Sequence, residues 1–377
     1  MQLIRVSLGN AAEFSSRPSA KEWEELMAMS SKQGVAGVAF SGVEKLPKEQ
    51  MPSLEVIMDW SAIVDYIEME NRRLNRVNVK VCEMFECDGK RVCIVKGASV
   101  GVLYPEPLRR DAGDVDVWMA GGREAVSEYV RGKFADVDER STHHASVNVD
   151  GVCVEVHFLP AELYSIRHFR YLTNYYRAME ATPWNCRAEL DCGRAKGVSE
   201  DGMRNSVVVP QLQVSLVTVV VHLFHHWAFE GVGMKQVLDC YWLLKQVDKA
   251  GCADEAFTDG KSADEIRSGA MMLFRRMGIR TFVAALMYVL KELGMDEGQM
   301  LCKPNARYGK RLLDSILTTG IVSADELANG KYGQENRLHK FFRRFHRVVR
   351  MMPMAPSEMI WMLLRNVVRW LYKRDLV

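Results

Sequence analysis

The sequence has no surplus of either charge sign. Its 50 Lys and Arg side chains nearly balance 48 Asp and Glu, for a formal charge of +2, so no global field draws the chain to a polyanion. It also has no long uninterrupted apolar run. The most apolar stretch, about 207–229, is broken by Pro210, Gln211, Gln213, Ser215, Thr218 and three histidines. A bilayer-spanning helix needs about 20 nearly continuous apolar residues, so the stretch is expected to form a buried or half-buried helix. The opening segment MQLIRVSLGNAAEFSSRPS lacks the basic region and following apolar run of an export signal. Nine cysteines, an odd number, include no C-x-x-C pair, and Cys82, Cys87, Cys93 and Cys153 lie in apolar-rich segments where free Cys acts as a small hydrophobe. These absences argue against a disulfide framework and predict a reducing, cytoplasmic setting. There is no internal repeat and no low-complexity tract.

What remains is a chain of ordinary globular composition, 48% hydrophobic and 26% charged over 377 residues, long enough for two or three cores. KEWEELMAMSSKQG places Trp23, Leu26, Met27 and Met29 near one helical face and stops at Gly34. A longer helix is predicted from Leu54 to Cys87. The pattern changes at Arg91. RVCIVK reads as a buried strand, GASVGVLY opens a helix, DVDVWM is a second strand and GREAVSEYVRGKF a helix. HHASVNV and VCVEVHF are two further strands about the Asp150-Gly151 turn. A polar, turn-rich interval follows from Pro183 to Ser206. Helices are then predicted from Pro210 and over 235–249, 264–278, 280–294, 308–319, 335–351 and 357–373. The expected architecture is α+β: N-terminal helices over 1–90, a β-α-β-α-β-β unit over 91–160 and a mainly helical region over 161–377.

Chemistry concentrates in KGASVGVLYPEPLRRDAGDVDVWM, from Lys96 to Met119. Strand alternation turns Asp114 and Asp116 to one side. Two adjacent carboxylates repel, and a divalent cation removes that conflict; hard Mg²⁺ prefers such oxygens. In VCVEVHF the same alternation puts Cys153, Glu155 and His157 on one face and the valines on the other. Should that strand lie beside the Asp114 strand, Glu155 completes a three-acid set. Gly97-Ala98-Ser99, between strand end and helix start, permits close backbone approach by a phosphate. Lys96, Arg109 and Arg110 are the candidate cations for its oxygens.

These residues resemble the nucleotidyltransferase superfamily with its polymerase-beta-like catalytic fold, and more narrowly a bacterial family of uncharacterised nucleotidyltransferase-like proteins. Lys96-Gly97, Tyr104-Pro105, Arg109 or Arg110, Gly113-Asp114-Val115-Asp116 and Glu155-Val156-His157 match the family's pattern. The likeness extends to Trp23, Gln33-Gly34-Val35 and HLFHHWAFEGVGMKQVLDCYWLL, with His222, His225, His226, Gly231, Gly233, Gln236 and Asp239 in place. The superfamily's usual Gly-Gly or Gly-Ser is Gly97-Ala98-Ser99 here, and the loop before Asp114 is longer than in the best-studied members. The resemblance implies transfer of a nucleoside monophosphate from a nucleoside triphosphate to an acceptor hydroxyl on a small molecule, carbohydrate or protein. It implies Mg²⁺ or Mn²⁺ on Asp114, Asp116 and Glu155, with the triphosphate near Lys96, Gly97, Ser99, Arg109 and Arg110. Two alternatives stand beside it: a catalytically inactive accessory protein of the same fold, and an RNA-directed transferase. The RNA alternative leans on the basic segment Arg337 to Arg350 without any RNA-recognition signature. That segment is read first as a surface helix packing its phenylalanines inward, with contact to a phosphate-rich acceptor or a membrane surface as the other reading.

Among the histidines, His157 either orients Glu155, touches the acceptor or is structural, and His143 and His144 are expected to be exposed or locally hydrogen-bonded. His222, His225, His226 and Phe229 share one helix face at i, i+3, i+4 and i+7. That face lacks the catalytic glutamate of a zincin helix, so it is read as packing toward the sheet unit or lining an acceptor cleft.

Overall fold

The computed structural model describes residues 1–111, 113–193, 205–229, 231–250, 255–319, 348–349 and 351–372. Four helices come first: α1 (Gln2–Ser7), α2 (Ala20–Lys32), α3 (Ala36–Val43) and α4 (Leu54–Cys87). Ser19 and Glu22 form a capping box that starts α2, and Gly34 at φ +64° ends it. Ser53 caps α4 by accepting from the Val56 N–H. Such caps are each worth about 1 kcal/mol. Trp23 is buried as expected, whereas Met29 points to solvent.

β1 (Val92–Ile94), α5 (Gly97–Gly101), β2 (Val115–Met119), α6 (Gly122–Lys133), β3 (His144–Val149) and β4 (Val152–His157) follow in the anticipated β-α-β-α-β-β order. The helix after β1 is shorter than its sequence suggested. It ends at Gly101, and the chain runs through turns and a single 3₁₀ turn at Pro107–Arg109 before reaching β2. The sheet order is β1-β2-β4-β3. β1 is antiparallel to β2, β2 parallel to β4, and β4 antiparallel to β3. Asp150 and Gly151, both at positive φ, close the β3–β4 hairpin, as the tight two-residue turn requires.

Beyond the sheet lie α7 (Ile166–Glu180), β5 (Arg187–Glu189), β6 (Ser206–Val208), α8 (Leu212–Phe229), α9 (Met234–Asp248), α10 (Glu255–Thr258), α11 (Ala263–Arg276), α12 (Arg280–Glu292), α13 (Ala306–Thr319) and α14 (Pro356–Tyr372). The polar interval after Pro183 holds a small antiparallel ribbon, with Ala188 opposite Val207. Three-residue strands carry too little alternation for sequence periodicity to detect. The segment Arg337 to Arg350, with most of the helix expected there, lies outside the described residues except for Val348 and Val349. No described helix is long and apolar enough to cross a membrane, and the eight described cysteines form no disulfide with one another.

Two cores organise this α+β fold. One packs Val81 and Phe85 of α4 with the sheet valines and with Val126 and Val130 of α6. The other joins Leu3, Trp23, Phe40 and Trp60 from the N-terminal helices to the apolar faces of α8, α9, α11 and α12. The two ends of α4 therefore belong to different cores. Polar ties reinforce the second. Gln33 donates to the Ile316 carbonyl at 2.9 Å and accepts from the Met234 N–H at 3.0 Å. Asn10 donates to the Leu293 carbonyl at 2.7 Å. Gly37 of α3 is pressed against the loop before β2; a Cβ there would sit 2.2 Å from the Arg109 carbonyl oxygen.

Candidate active site at the β2–β4 seam

The parallel pairing of β2 with β4 sets Asp116 opposite Glu155 and Trp118 opposite His157. Their valine neighbours face the core, so the polar side chains are driven to the other side of the sheet. Ligand atoms of Asp116, Glu155 and His157 all lie within 4.8 Å of one another. Asp114 sits one residue before β2 and faces the same cavity.

The three acids live in different electrostatic surroundings. Asp116 accepts from Lys96 Nζ at 2.7 Å and from His157 Nε2 at 2.8 Å, both on Oδ1. Burial pushes its pKa up, but these two donors outweigh burial and hold the carboxyl well below its ordinary range. Glu155 likewise has burial opposed by His157, 3.2 Å from its Oε2, and its pKa falls. His144 Nδ1 lies 3.4 Å from the same oxygen. Asp114 is shifted the other way. Its side chain is exposed to solvent, yet desolvation by the surrounding protein raises its pKa first, and repulsion from Glu155 and Asp116 adds to the rise.

Lys96 reaches Asp116 from a strained turn. Its backbone is at φ 55°, ψ −150°, and Gly97 follows at φ 36°. A non-glycine residue in that region costs on the order of 1–3 kcal/mol. The turn is braced by Ser99, whose N–H and hydroxyl both donate to the Lys96 carbonyl, at 2.8 and 2.7 Å. A Cβ on Gly97 would stand 3.4 Å from the Asp114 carbonyl oxygen, so the loop and the start of β2 run close together.

A cavity of about 460 Å³ opens over the acids. Its far wall is the predicted histidine face of α8, with His222, His225 and His226, together with Lys235 and Asp239 of α9. His143, His144 and Glu162 close one side; the two histidines are locally hydrogen-bonded through Ser141, as one of the two expectations held, and they face the cavity rather than bulk solvent. His157 is fully buried against Asp116 and Glu155. A second cavity, about 720 Å³, borders the first and shares Gly97, Arg110, Gly113 and Asp114 with it.

The two arginines part company. Arg110 forms a bidentate pair with Asp239, Nε to Oδ1 and Nη2 to Oδ2 both at 2.8 Å, and Tyr104 donates its hydroxyl to the same carboxylate at 2.8 Å. Arg109 turns toward the N-terminal helices, pairing with Glu44, with Glu106 at 2.7 Å and with Glu68 at 3.4 Å; it lines the second cavity alone. Sequence reasoning missed Lys235 and Glu162. Lys235 is half-buried, and desolvation and Arg110 lower its ammonium pKa against the pull of Asp239, Asp111 and Asp114. The available signal was its position four residues before Asp239, two charges on one face of an apolar helix. Glu162 accepts from the Thr142 hydroxyl and lies 3.7 Å from both His143 Nδ1 and His225 Nε2.

No curated protein matches the chain. One solved structure, described as an antigenic nucleotidyltransferase-like protein from Paracoccidioides brasiliensis, is similar at 12% identity. The likeness covers 46% of this chain and 76% of that one with a TM-score of 0.28. A family model described as uncharacterised nucleotidyltransferase matches residues 19–259. That span takes in the N-terminal helices, the sheet and the wall formed by α8 and α9, so the chain belongs to the uncharacterised nucleotidyltransferase family.

Proposed function

We propose that the chain is a divalent-cation-dependent nucleotidyltransferase that moves a nucleoside monophosphate from a nucleoside triphosphate to an acceptor hydroxyl. The observation that carries this reading is the parallel β2–β4 register, which puts Asp116 beside Glu155 with Asp114 at the entrance to the same cavity. The donor set suits Mg²⁺ or Mn²⁺. It offers carboxylate oxygens, and the raised Asp114 pKa, due first to desolvation, also carries repulsion from Glu155 and Asp116 that a cation would relieve. Asp114, Asp116 and Glu155 would hold the ion, which when bound withdraws charge from phosphate oxygens.

The chain's own groups supply the remainder. Lys96 and the close-approaching backbone at Gly97 face the triphosphate, and Ser99 keeps that turn in shape. Arg110, held by Asp239, adds positive potential where the two cavities meet. Arg109 borders the larger cavity, and the pair of cavities gives room for two substrates. The acceptor oxygen forms a bond to the α-phosphorus as the bond to the β-phosphate oxygen breaks, and pyrophosphate leaves. The hydroxyl proton passes to Glu155, which is ionised, although its lowered pKa makes it only a weak base.

Incubation with each labelled nucleoside triphosphate, Mg²⁺ or Mn²⁺ and cell extract tests the reading. Label should pass to an acceptor with the wild-type chain and not with Asp114→Asn. Failure of every triphosphate to bind in the presence of the cation would remove it. One observation favours a second reading, a binding protein without turnover: Asp116 Oδ1 already has two cationic or polar donors in Lys96 and His157. Under that reading a triphosphate binds and no label moves.

A further inference from the structure

A donor set of different chemistry lies against the carboxylates. His144, first residue of β3, is the register partner of His157 at the end of β4, and His143 immediately precedes the strand. One ring nitrogen from each of the three lies within 4.8 Å of the other two. His143 Nε2 and His144 Nδ1 are 3.3 Å apart. A tetrahedral ion with Zn–N bonds of ~2.0–2.1 Å spaces its nitrogens by that same roughly 3.3 Å.

The protonation pattern also suits a cation. His157 Nε2 is taken up by Asp116 at 2.8 Å, which leaves Nδ1 as the ring atom available to an ion. The ring is fully buried, and Nδ1 has no hydrogen-bond partner. A relay of neutral imidazoles accounts for the His143–His144 contact, and Ser141 Oγ, 3.3 Å from His143 Nδ1 and 3.2 Å from His144 Nδ1, would serve it. The relay leaves the buried His157 Nδ1 unsatisfied, a cost that native interiors rarely carry. Carboxylates stand behind two of the rings: Asp116 on His157, and Glu162 3.7 Å from His143 Nδ1. Outer carboxylates of this kind orient a ligating imidazole and raise its basicity.

We propose that His143, His144 and His157 bind one transition-metal ion of the zinc class, beside and distinct from the oxygen-donor site. Imidazole nitrogen selects Zn²⁺, Co²⁺ or Ni²⁺ over Mg²⁺. Three protein ligands leave a coordination position for water or a substrate oxygen, and both His143 and His144 line the cavity. The ion adds fixed positive charge at one side of the proposed substrate space. The inference does not depend on turnover.

The full chain, stripped with a chelator, is titrated with Zn²⁺ against a chromophoric chelator and with Co²⁺ followed by visible absorption. One equivalent should bind, with cobalt ligand-field bands and no thiolate charge-transfer absorption. His143→Ala and His144→Gln, checked for fold by circular dichroism, should each weaken binding by at least about tenfold. Asp114→Asn should leave zinc affinity unchanged while abolishing label transfer, so the two metal sites succeed or fail separately. Zinc-edge X-ray absorption on the wild-type protein needs no variant and should reveal an imidazole-rich shell. Absence of stoichiometric binding, thiolate bands, a shell without imidazole, or affinity indifferent to both histidine changes would overturn the proposal.

Discussion

Asp114 and Asp116 differ by two positions in sequence and oppositely in energetics. Asp116 is clamped by Lys96 and His157, so Asp116→Asn leaves a buried ammonium without its counter-ion. Removing one partner of a buried pair costs about 3–5 kcal/mol, and denaturant unfolding should register a loss of that order. Asp114 has the reverse character: its folded pKa is raised, so its ionised form opposes folding. That contribution is most favourable below the unfolded carboxyl pKa and is lost as pH rises through the raised folded value. Asp114→Asn should therefore match or exceed wild-type stability, with an advantage that grows toward neutral pH, while transfer falls at least ~100-fold. A stability loss in Asp114→Asn would show that the repulsion has been misread. His144 offers a second pH signature. Burial lowers its pKa from 6.5 to about 4, so the unfolded chain binds a proton that the folded chain refuses between those values. Stability is fully present above 6.5 and declines as pH falls toward 4. Thermal melts of His144→Gln across this window should slope less steeply than wild type.

At the scale of elements, the site depends on how α9 grips the loop before β2. Asp239 holds Arg110 through two bonds and Tyr104 through a third, and this loop delivers Asp114. Asp239→Ala strands a buried guanidinium and should lower stability by about 3–5 kcal/mol. The double variant Arg110→Met with Asp239→Leu should recover most of that stability without restoring transfer, because an apolar pair fills the space but does not supply Arg110's charge at the cavity. Recovery of transfer in the double variant would demote Arg110 to a packing role. Gly37 acts from the other side, since its missing Cβ lets α3 lie against the Arg109 carbonyl.

For the molecule as a whole, the helices before and after the sheet share one core. Leu3, Trp23 and Phe40 pack in the same cluster as Phe224, Leu238, Phe274 and Leu286, and Gln33 bonds to both the start of α9 and the end of α13. Deleting residues 1–53 would expose that apolar surface and release both ties. The truncated chain should fail to give a cooperative melt, whereas the full chain should unfold with the two cores strongly coupled through α4. A stable truncated protein that retained triphosphate binding would contradict this.

The sequence alone determined which side chains share a face. The α4 boundaries, the β-α-β-α-β-β order, the Asp150-Gly151 turn and the common orientation of Cys153, Glu155 and His157 were all legible, because periodicity and turn chemistry are local properties. Which face meets which was decided only in three dimensions. The His157–Asp116 bond spans 41 positions and the Arg110–Asp239 pair 129, and no local pattern encodes such partners. The placement of Lys235 at the cavity, the strained Lys96 turn and the inward placement of His143 and His144 arise the same way. Each is a consequence of helices and sheet closing on one another around a polar cavity, where the cost of leaving a charge or a lone pair unmatched selects its neighbour.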